Sequence, residues 1–304
     1  MNIPLIPFSA EAHLDWRALT RAITHGHTLP KADIADTFLY RTPDTLLNRA
    51  AWIDGLGLAV KSATIFPGNT AQGKPAVNGG VTLYSDRDGM LEAIVDFHLV
   101  TKWKTAGDSL CAALRLARKD SRKILIVGAG TVGRSLRQAY GAGFPEATFT
   151  IWNRTRAGAE ALAADWPGMT VADDLEQAVT QADIITCATM STNPLIKGDW
   201  LRPGQHLDLI GAYRPDMREA DDTALQRARI FVDSFDTTIG HIGEVKDPLS
   251  RGIITRDHIL ADYYTPDAFA RQSDDDITLF KNGGGAHLDL MTSRYILDAW
   301  KAAQ

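Results

Sequence analysis

Ile124-Leu125-Ile126-Val127-Gly128-Ala129-Gly130-Thr131-Val132-Gly133 is the stretch on which the fold turns. Its first four residues are apolar and β-prone, as in a strand buried on both faces. The next six read G-x-G-x-x-G, and a helical pattern continues to about Gly143. That motif says little alone and becomes diagnostic when it leaves a buried strand and opens a helix. Gly128 permits the tight turn, Gly130 lets the backbone approach a pyrophosphate, and Gly133 lets helix and strand pack closely. With Thr131 and Val132 the loop then presents helix N–H groups and a positive dipole end to phosphates.

The same alternation runs on from there. Residues 148–152, 183–188, 206–210 and 230–233 read as further strands, with helical stretches at 157–166 and 174–181. Strands spaced by helices of this length imply right-handed crossovers and a parallel sheet covered on both faces. Upstream the pattern differs. Residues 45–53, 58–66 and 80–85 read as strands joined by turn signals, among them Asp54-Gly55-Leu56-Gly57 and Pro67-Gly68-Asn69. A long helical stretch, 101–117, leads into the polar segment Arg118-Lys119-Asp120-Ser121-Arg122-Lys123, and residues 288–303 are again helical. The expected architecture is α/β: a Rossmann doubly wound parallel sheet at 120–287 binds a dinucleotide. An α+β substrate-binding and dimerisation domain occupies 1–119, with the helix at 288–304 packing back on it.

The 304 residues suit two ordinary domains. Lys plus Arg total 32 against 37 Asp plus Glu, a net charge of −5 without a basic block, so no nucleic-acid partner is expected. No apolar run approaches the roughly 18 residues of a membrane span. Met1-Asn2-Ile3-Pro4-Leu5-Ile6-Pro7 lacks a basic start and a long apolar core, so no signal peptide is expected. Two cysteines, Cys111 and Cys187, exclude a disulfide scaffold and read as core residues. The expected location is the cytoplasm. Of the eight histidines only His25-Gly26-His27 forms a close pair, and no metal is expected.

Coenzyme choice is read at the end of the second strand, where an NAD site places a carboxylate for the ribose hydroxyl. Here the chain reads Trp152-Asn153-Arg154-Thr155. Arg154 can fork onto a 2′-phosphate, with Asn153 and Thr155 adding hydrogen bonds, so NADPH is expected ahead of NADH. Two lysines stand out upstream. Lys61 lies inside an apolar strand, where a charge is costly unless it is paired or faces a polar cleft. Lys104 lies at the expected start of the long helix. Either could face a substrate carboxylate; either could instead reach solvent, Lys61 at a sheet edge and Lys104 on a wet helix face.

Five ordered segments together resemble the ornithine cyclodeaminase/μ-crystallin family: 61–69, the helix start Lys104-Thr105-Ala106, Val127-Gly128-Ala129-Gly130, Trp152-Asn153-Arg154-Thr155, and 211–219. They span about 58–235, with similarity extending towards Asp289; the first 45 residues match poorly. The resemblance implies a homodimer with a substrate domain beside a Rossmann domain. It implies that Lys61 holds the substrate carboxylate. The family's arginine opening the long helix is replaced by Lys104, which keeps the charge and loses the fork. A second arginine upstream of Lys61 has Arg49 and Arg41 as candidates, and Asn78 falls where the family places another substrate-side polar group. Around the dinucleotide the expected residues are Gly128, Gly130, Thr131, Val132, Gly133, Asn153, Arg154 and Thr155, joined by Ala188, Thr189 and Gly211.

Tyr213 stands where ornithine cyclodeaminases carry a catalytic aspartate, two residues past the glycine matching Gly211; the family's ketimine reductases also lack it. Asp216 could substitute, but Asp216-x-x-Glu219 reads better as a helix N-cap with its capping carboxylate. His287, after Gly283-Gly284-Gly285, either reaches the nicotinamide or merely follows a hinge. The expected reaction is NAD(P)H-dependent reduction of a small cyclic imine carboxylate, foremost Δ1-pyrroline-2-carboxylate to L-proline, with Δ1-piperideine-2-carboxylate second and Lys61 as the catalytic residue. The alternatives are an ornithine cyclodeaminase, an amino-acid dehydrogenase, and a non-enzymatic NADPH-binding protein.

Overall fold

Alternating burial organises the N-terminal half. In the computed structural model, which describes residues 3–304, the chain forms two compact units, Met1–Lys104 with Gly285–Gln304, and Thr105–Gly284. Met1-Asn2, part of the N-terminal reading, lies outside the described residues.

The first unit comprises β1 (Leu5–Ile6), α1 (Trp16–Gly26), β2 (Asp33–Arg41), β3 (Asp44–Ile53), β4 (Gly57–Ile65), β5 (Val77–Tyr84), β6 (Leu91–Asp96) and the start of α2 (Phe97–Leu116), with the C-terminal helix Ala286–Ala302. Its sheet has the order β1-β6-β5-β4-β3-β2, antiparallel except where β1 joins β6. Along β4, Gly57, Ala59, Lys61 and Ala63 are buried and the residues between them half-buried, the period of two expected of a half-covered sheet. The buried face packs against the C-terminal helix. That helix also meets α1, where a Cβ on Gly26 would lie 2.6 Å from the Met291 sulfur.

Four elements here, β1, α1, β2 and β6, lie outside the stretches that the sequence marked. β2 carries two aspartates, is exposed along most of its length and shows no alternation; its pairing with β3 defines it. Helix α1 is amphipathic and starts where Asp15 accepts the Ala18 N–H at 2.7 Å. A further difference concerns α2, which begins at Phe97 rather than 101, its first turn capped by Asp96 receiving the Leu99 N–H at 2.8 Å. Lys104 therefore sits inside the helix, not at its opening. The division between the units also falls inside α2, rather than at the polar stretch near 120.

The second unit runs β7 (Lys123–Val127), α3 (Thr131–Gly143), β8 (Thr148–Trp152), α4 (Arg156–Ala163), β9 (Thr170–Val171), α5 (Leu175–Gln181), β10 (Ile184–Cys187), β11 (His206–Leu209), α6 (Asp222–Arg227), β12 (Arg229–Val232), α7 (Phe235–Thr238), α8 (Gly243–Ser250), β13 (Ile259–Ala261) and β14 (Thr278–Lys281). The strand order is β13-β12-β14-β11-β10-β7-β8-β9, and every pairing is parallel. The order reverses between β7 and β10, the place where open α/β sheets bind ligands. Leu125, Val127, Ile185, Cys187, Leu207 and Leu209 fill the core on one face. Cys111 and Cys187 are both buried, and neither is in a disulfide. No helix among the described residues is long and apolar enough to cross a membrane.

Candidate active site

In the second unit the loop from β7 to α3 has the shape its glycines imply. Gly128 has φ +108°, and a Cβ there would lie 2.6 Å from the Ala188 carbonyl oxygen. A Cβ on Gly133 would lie 2.1 Å from the Gly128 carbonyl oxygen, so only glycine lets the first turn of α3 close on the loop. Gly130 faces open space and no side chain caps the helix it starts, so the N–H groups of Thr131 and Val132 belong to an uncapped first turn. These features fit a dinucleotide pyrophosphate.

At the end of β8 the three residues divide their work. Asn153 spends its amide on the protein, with Oδ1 accepting the Ala129 N–H at 3.1 Å and Nδ2 donating to Thr155 O and Oγ at 2.9 Å each. It holds the glycine loop to β8 instead of offering the free hydrogen bond anticipated for it. Arg154 and Thr155 are exposed, and Arg154 makes no ion pair among the described residues.

Thr189 and Gly211 are joined by a residue to which the sequence assigned another role. Glu219, fully buried, accepts the Thr189 N–H at 2.7 Å and the Thr189 hydroxyl at 2.9 Å through Oε1. Its Oε2 accepts the N–H of Gly211 at 2.6 Å and of Ala212 at 3.4 Å. Beside it Glu244 accepts the backbone N–H groups of Glu219 at 2.7 Å and Ala220 at 3.0 Å. Burial raises the Glu219 carboxyl, with the buried Lys281 opposing. Burial, then the Glu219 charge, pushes Glu244 up to about 7. Lys281 itself donates to the Leu209 carbonyl at 2.9 Å. A Cβ on Gly211 would lie 1.8 Å from the Thr189 carbonyl oxygen, so the two loops are close-packed as well as bonded.

The capping reading of Asp216-x-x-Glu219 is therefore corrected. No helix begins there; Asp216 is exposed and forks with Arg214 at 2.9 Å, while Glu219 points inward to clasp loops. Asp216 is no substitute for a buried catalytic acid, and Tyr213 is 55% exposed.

In the first unit Lys61 lies 6% exposed, its Nζ 2.9 Å from Asp289 Oδ1 and 4.9 Å above the Phe97 ring. Burial lowers it to about 8; the charges of Lys104 and Arg49 add to this and Asp289 opposes it. The sheet-edge reading fails: β4 is an inner strand and Lys61 faces the C-terminal helix. Lys104 is 7% exposed, so the wet-face reading fails too. Arg49 is the cross-strand partner of Lys61, hence on the same face, and forks to Asp36 at 2.9–3.1 Å. Arg41 is largely exposed and paired with Asp44, leaving Arg49 as the arginine of this cluster.

Asn78 does not join them. It pairs with Thr64, three residues from Lys61 in a regular register, so it stands on the opposite sheet face, donating to Pro75 O at 3.0 Å. His287 is fully buried, edge-on to His27 with ring centroids 5.3 Å apart, and burial lowers it to about 3. It is a neutral imidazole. No group of three or more His, Cys, Asp or Glu among the described residues could hold a metal ion.

Asp36, Asp289, Glu219, Glu244 and Lys281 are charged residues of these clusters to which the sequence assigned no such part. A buried strand lysine demands a counter-charge, but nothing local names a residue 228 positions away.

A parallel sheet with a glycine loop at its switch point defines an α/β dinucleotide-binding fold, and the first unit carries a buried lysine cluster. The chain belongs to the ornithine cyclodeaminase/mu-crystallin family, whose profile matches residues 53–304. It is 50% identical to a Delta(1)-pyrroline-2-carboxylate reductase of Paracoccus denitrificans, covering 94% of this chain and 93% of that one. It is 30% identical to the ketimine reductase mu-crystallin of Mus musculus, covering 81% of this chain and 77% of that one. Its fold matches the Thermococcus litoralis Delta(1)-pyrroline-2-carboxylate reductase solved with NADH and L-proline, with a TM-score of 0.90, 24% identity and 98% of each chain covered.

Proposed function

We propose that this protein is an NAD(P)H-dependent reductase of small cyclic imine carboxylates, converting Δ1-pyrroline-2-carboxylate to L-proline and Δ1-piperideine-2-carboxylate to L-pipecolate. The observation that carries this reading is the buried Lys61 cluster, in a chain half identical to the Paracoccus reductase. When bound, the reduced nicotinamide supplies the hydride that the imine carbon receives. Lys61 holds the substrate carboxylate, with Lys104 and Arg49 adding positive potential, and so presents one face of the imine. An ornithine cyclodeaminase reading is disfavoured by Tyr213, an exposed phenol where a carboxylate is required.

NADPH is the proposed coenzyme, since Arg154 is exposed at the end of β8 and no carboxylate stands there. Arg154→Asp is expected to raise the KM for NADPH about 10- to 100-fold, the worth of a charge-assisted hydrogen bond, while NADH is used as well or better. An unchanged NADPH/NADH ratio would remove Arg154 from the coenzyme site. The reading includes a homodimer, supported by the exposed Phe38, Leu39, Tyr40 and Trp52 on β2 and β3. It also includes a cytoplasmic location, supported by two cysteines that form no disulfide.

The test is a panel of cyclic imines and open-chain keto acids with each coenzyme, followed by coenzyme absorbance. Rapid NADPH oxidation with the five-membered imine is the expected result. No oxidation by any imine with either coenzyme would sink the reading, and ammonia released from L-ornithine would replace it with the lyase.

A further inference from the structure

Asp289 is only 1% exposed, and its two oxygens have different fates. Oδ1 accepts from Lys61 at 2.9 Å. Oδ2 is buried without a hydrogen-bond partner among the described residues. An ionised oxygen held this way is costly, and native proteins keep few of them without a reason. Burial raises the Asp289 carboxyl, but the charges of Lys61, Lys104 and Arg49 outweigh it and hold the group below its usual range, so it remains an acceptor at neutral pH. His287, two residues earlier in the same helix turn, is neutral and offers no competing charge.

A cyclic iminium carboxylate bears its anion and its N–H⁺ on adjacent atoms. Lys61 and Asp289 present a cation and an anion side by side at 2.9 Å, the complementary pattern. We infer that Asp289 Oδ2 accepts the ring N–H of the protonated imine, and of the secondary ammonium of the product, while Lys61 takes the neighbouring carboxylate. This rests on the reductase reading above and adds a catalytic residue to it. Hydride adds readily to an iminium and poorly to a neutral imine, so a carboxylate on the N–H stabilises the reactive form. The same contact predicts selection against keto acids and ethers, because a site built to bond an N–H penalises ligands that lack it.

Binding to the protein with NADP⁺ tests this directly, using L-proline and (S)-tetrahydrofuran-2-carboxylate. The two probes share ring and carboxylate and differ in N–H against ether oxygen. The wild-type protein is expected to bind L-proline at least about 10-fold tighter. In Asp289→Asn that preference is expected to shrink to within about 3-fold, with both probes still held through Lys61. If Asp289 only steadied Lys61, the variant would weaken both probes equally and keep the ratio, which overturns the inference. Equal binding to the wild type overturns it too, with or without a folded variant. Should imine reduction then be intact, the reductase reading stands alone. Failure of both probes to bind, with no imine reduced, overturns both.

Discussion

Lys61→Ala is expected to lower kcat/KM for the imine carboxylate by about 30- to 5,000-fold, the equivalent of roughly 2–5 kcal/mol for truncating one partner of a buried charge pair. Lys61 is 6% exposed and Asp289 is 1% exposed, so solvent replaces little of what the ammonium does. Lys104 and Arg49 remain, but Arg49 is already committed to Asp36 and Lys104 is a point charge on another element. The variant also leaves Asp289 buried without its ion-pair partner, a loss of about 3–5 kcal/mol in stability when one side of such a pair is removed. Two effects are thereby mixed, and a second variant separates them. Lys61→Met with Asp289→Leu replaces the pair by apolar side chains, which is often neutral for stability. It should recover the melting temperature and not the activity. Steady-state kinetics with NADPH and calorimetry on the same samples check both halves. A kcat/KM within about 3-fold of wild type would remove Lys61 from the substrate site.

Glu219→Ala is the second large effect expected, and it acts in the other unit. The substitution strips the acceptor from the backbone N–H groups of Thr189, Gly211 and Ala212 and from the Thr189 hydroxyl. Each buried donor left without a partner costs about 1–3 kcal/mol. Part of this is returned, because the charge that helps raise Glu244 is gone. The net loss expected is about 3–5 kcal/mol, a fall in melting temperature on the order of 10 °C for a unit of this size. Coenzyme binding should weaken as well, since Thr189 and Gly211 lose the clasp that sets their loops. Glu219→Gln keeps one acceptor and the side-chain volume, so it should fall between. A melting temperature within about 2 °C of wild type would show that the clasp contributes little.

Much of this protein is written locally. Four consecutive β-prone residues before Gly128, and a helical pattern after it, are enough to place the loop, because strand and helix leave different periods in the chain. The glycines at 128 and 133 can be assigned their roles before any coordinates, since each role is a steric one that only glycine performs. Where local signals conflict or fade, the reading fails. β2 has polar residues on both faces and depends on its neighbour for its existence. Asp216 and Glu219 are spaced like a capping box, yet one turns out to fork with Arg214 and the other to bridge two loops.

Asn78 shows how narrow the margin is. A strand places alternate residues on opposite faces, so a role carried over from a family resemblance can fail by a single position, and the register with β4 turns Asn78 away from Lys61. By itself the sequence determined the α/β architecture, the glycine loop between strand and helix, and the lysine in the strand. Which carboxylates answer the buried charges was decided only in three dimensions. The chain holds 37 acidic residues, and a buried lysine requires one of them without naming it. Packing the C-terminal helix on β3 and β4 brings Asp289 to Lys61, and the return of the chain past β11 brings Glu219 to Thr189. Periodicity is a property of neighbours in the chain, whereas the pairing of charges across 228 or 30 residues is a property of the folded packing.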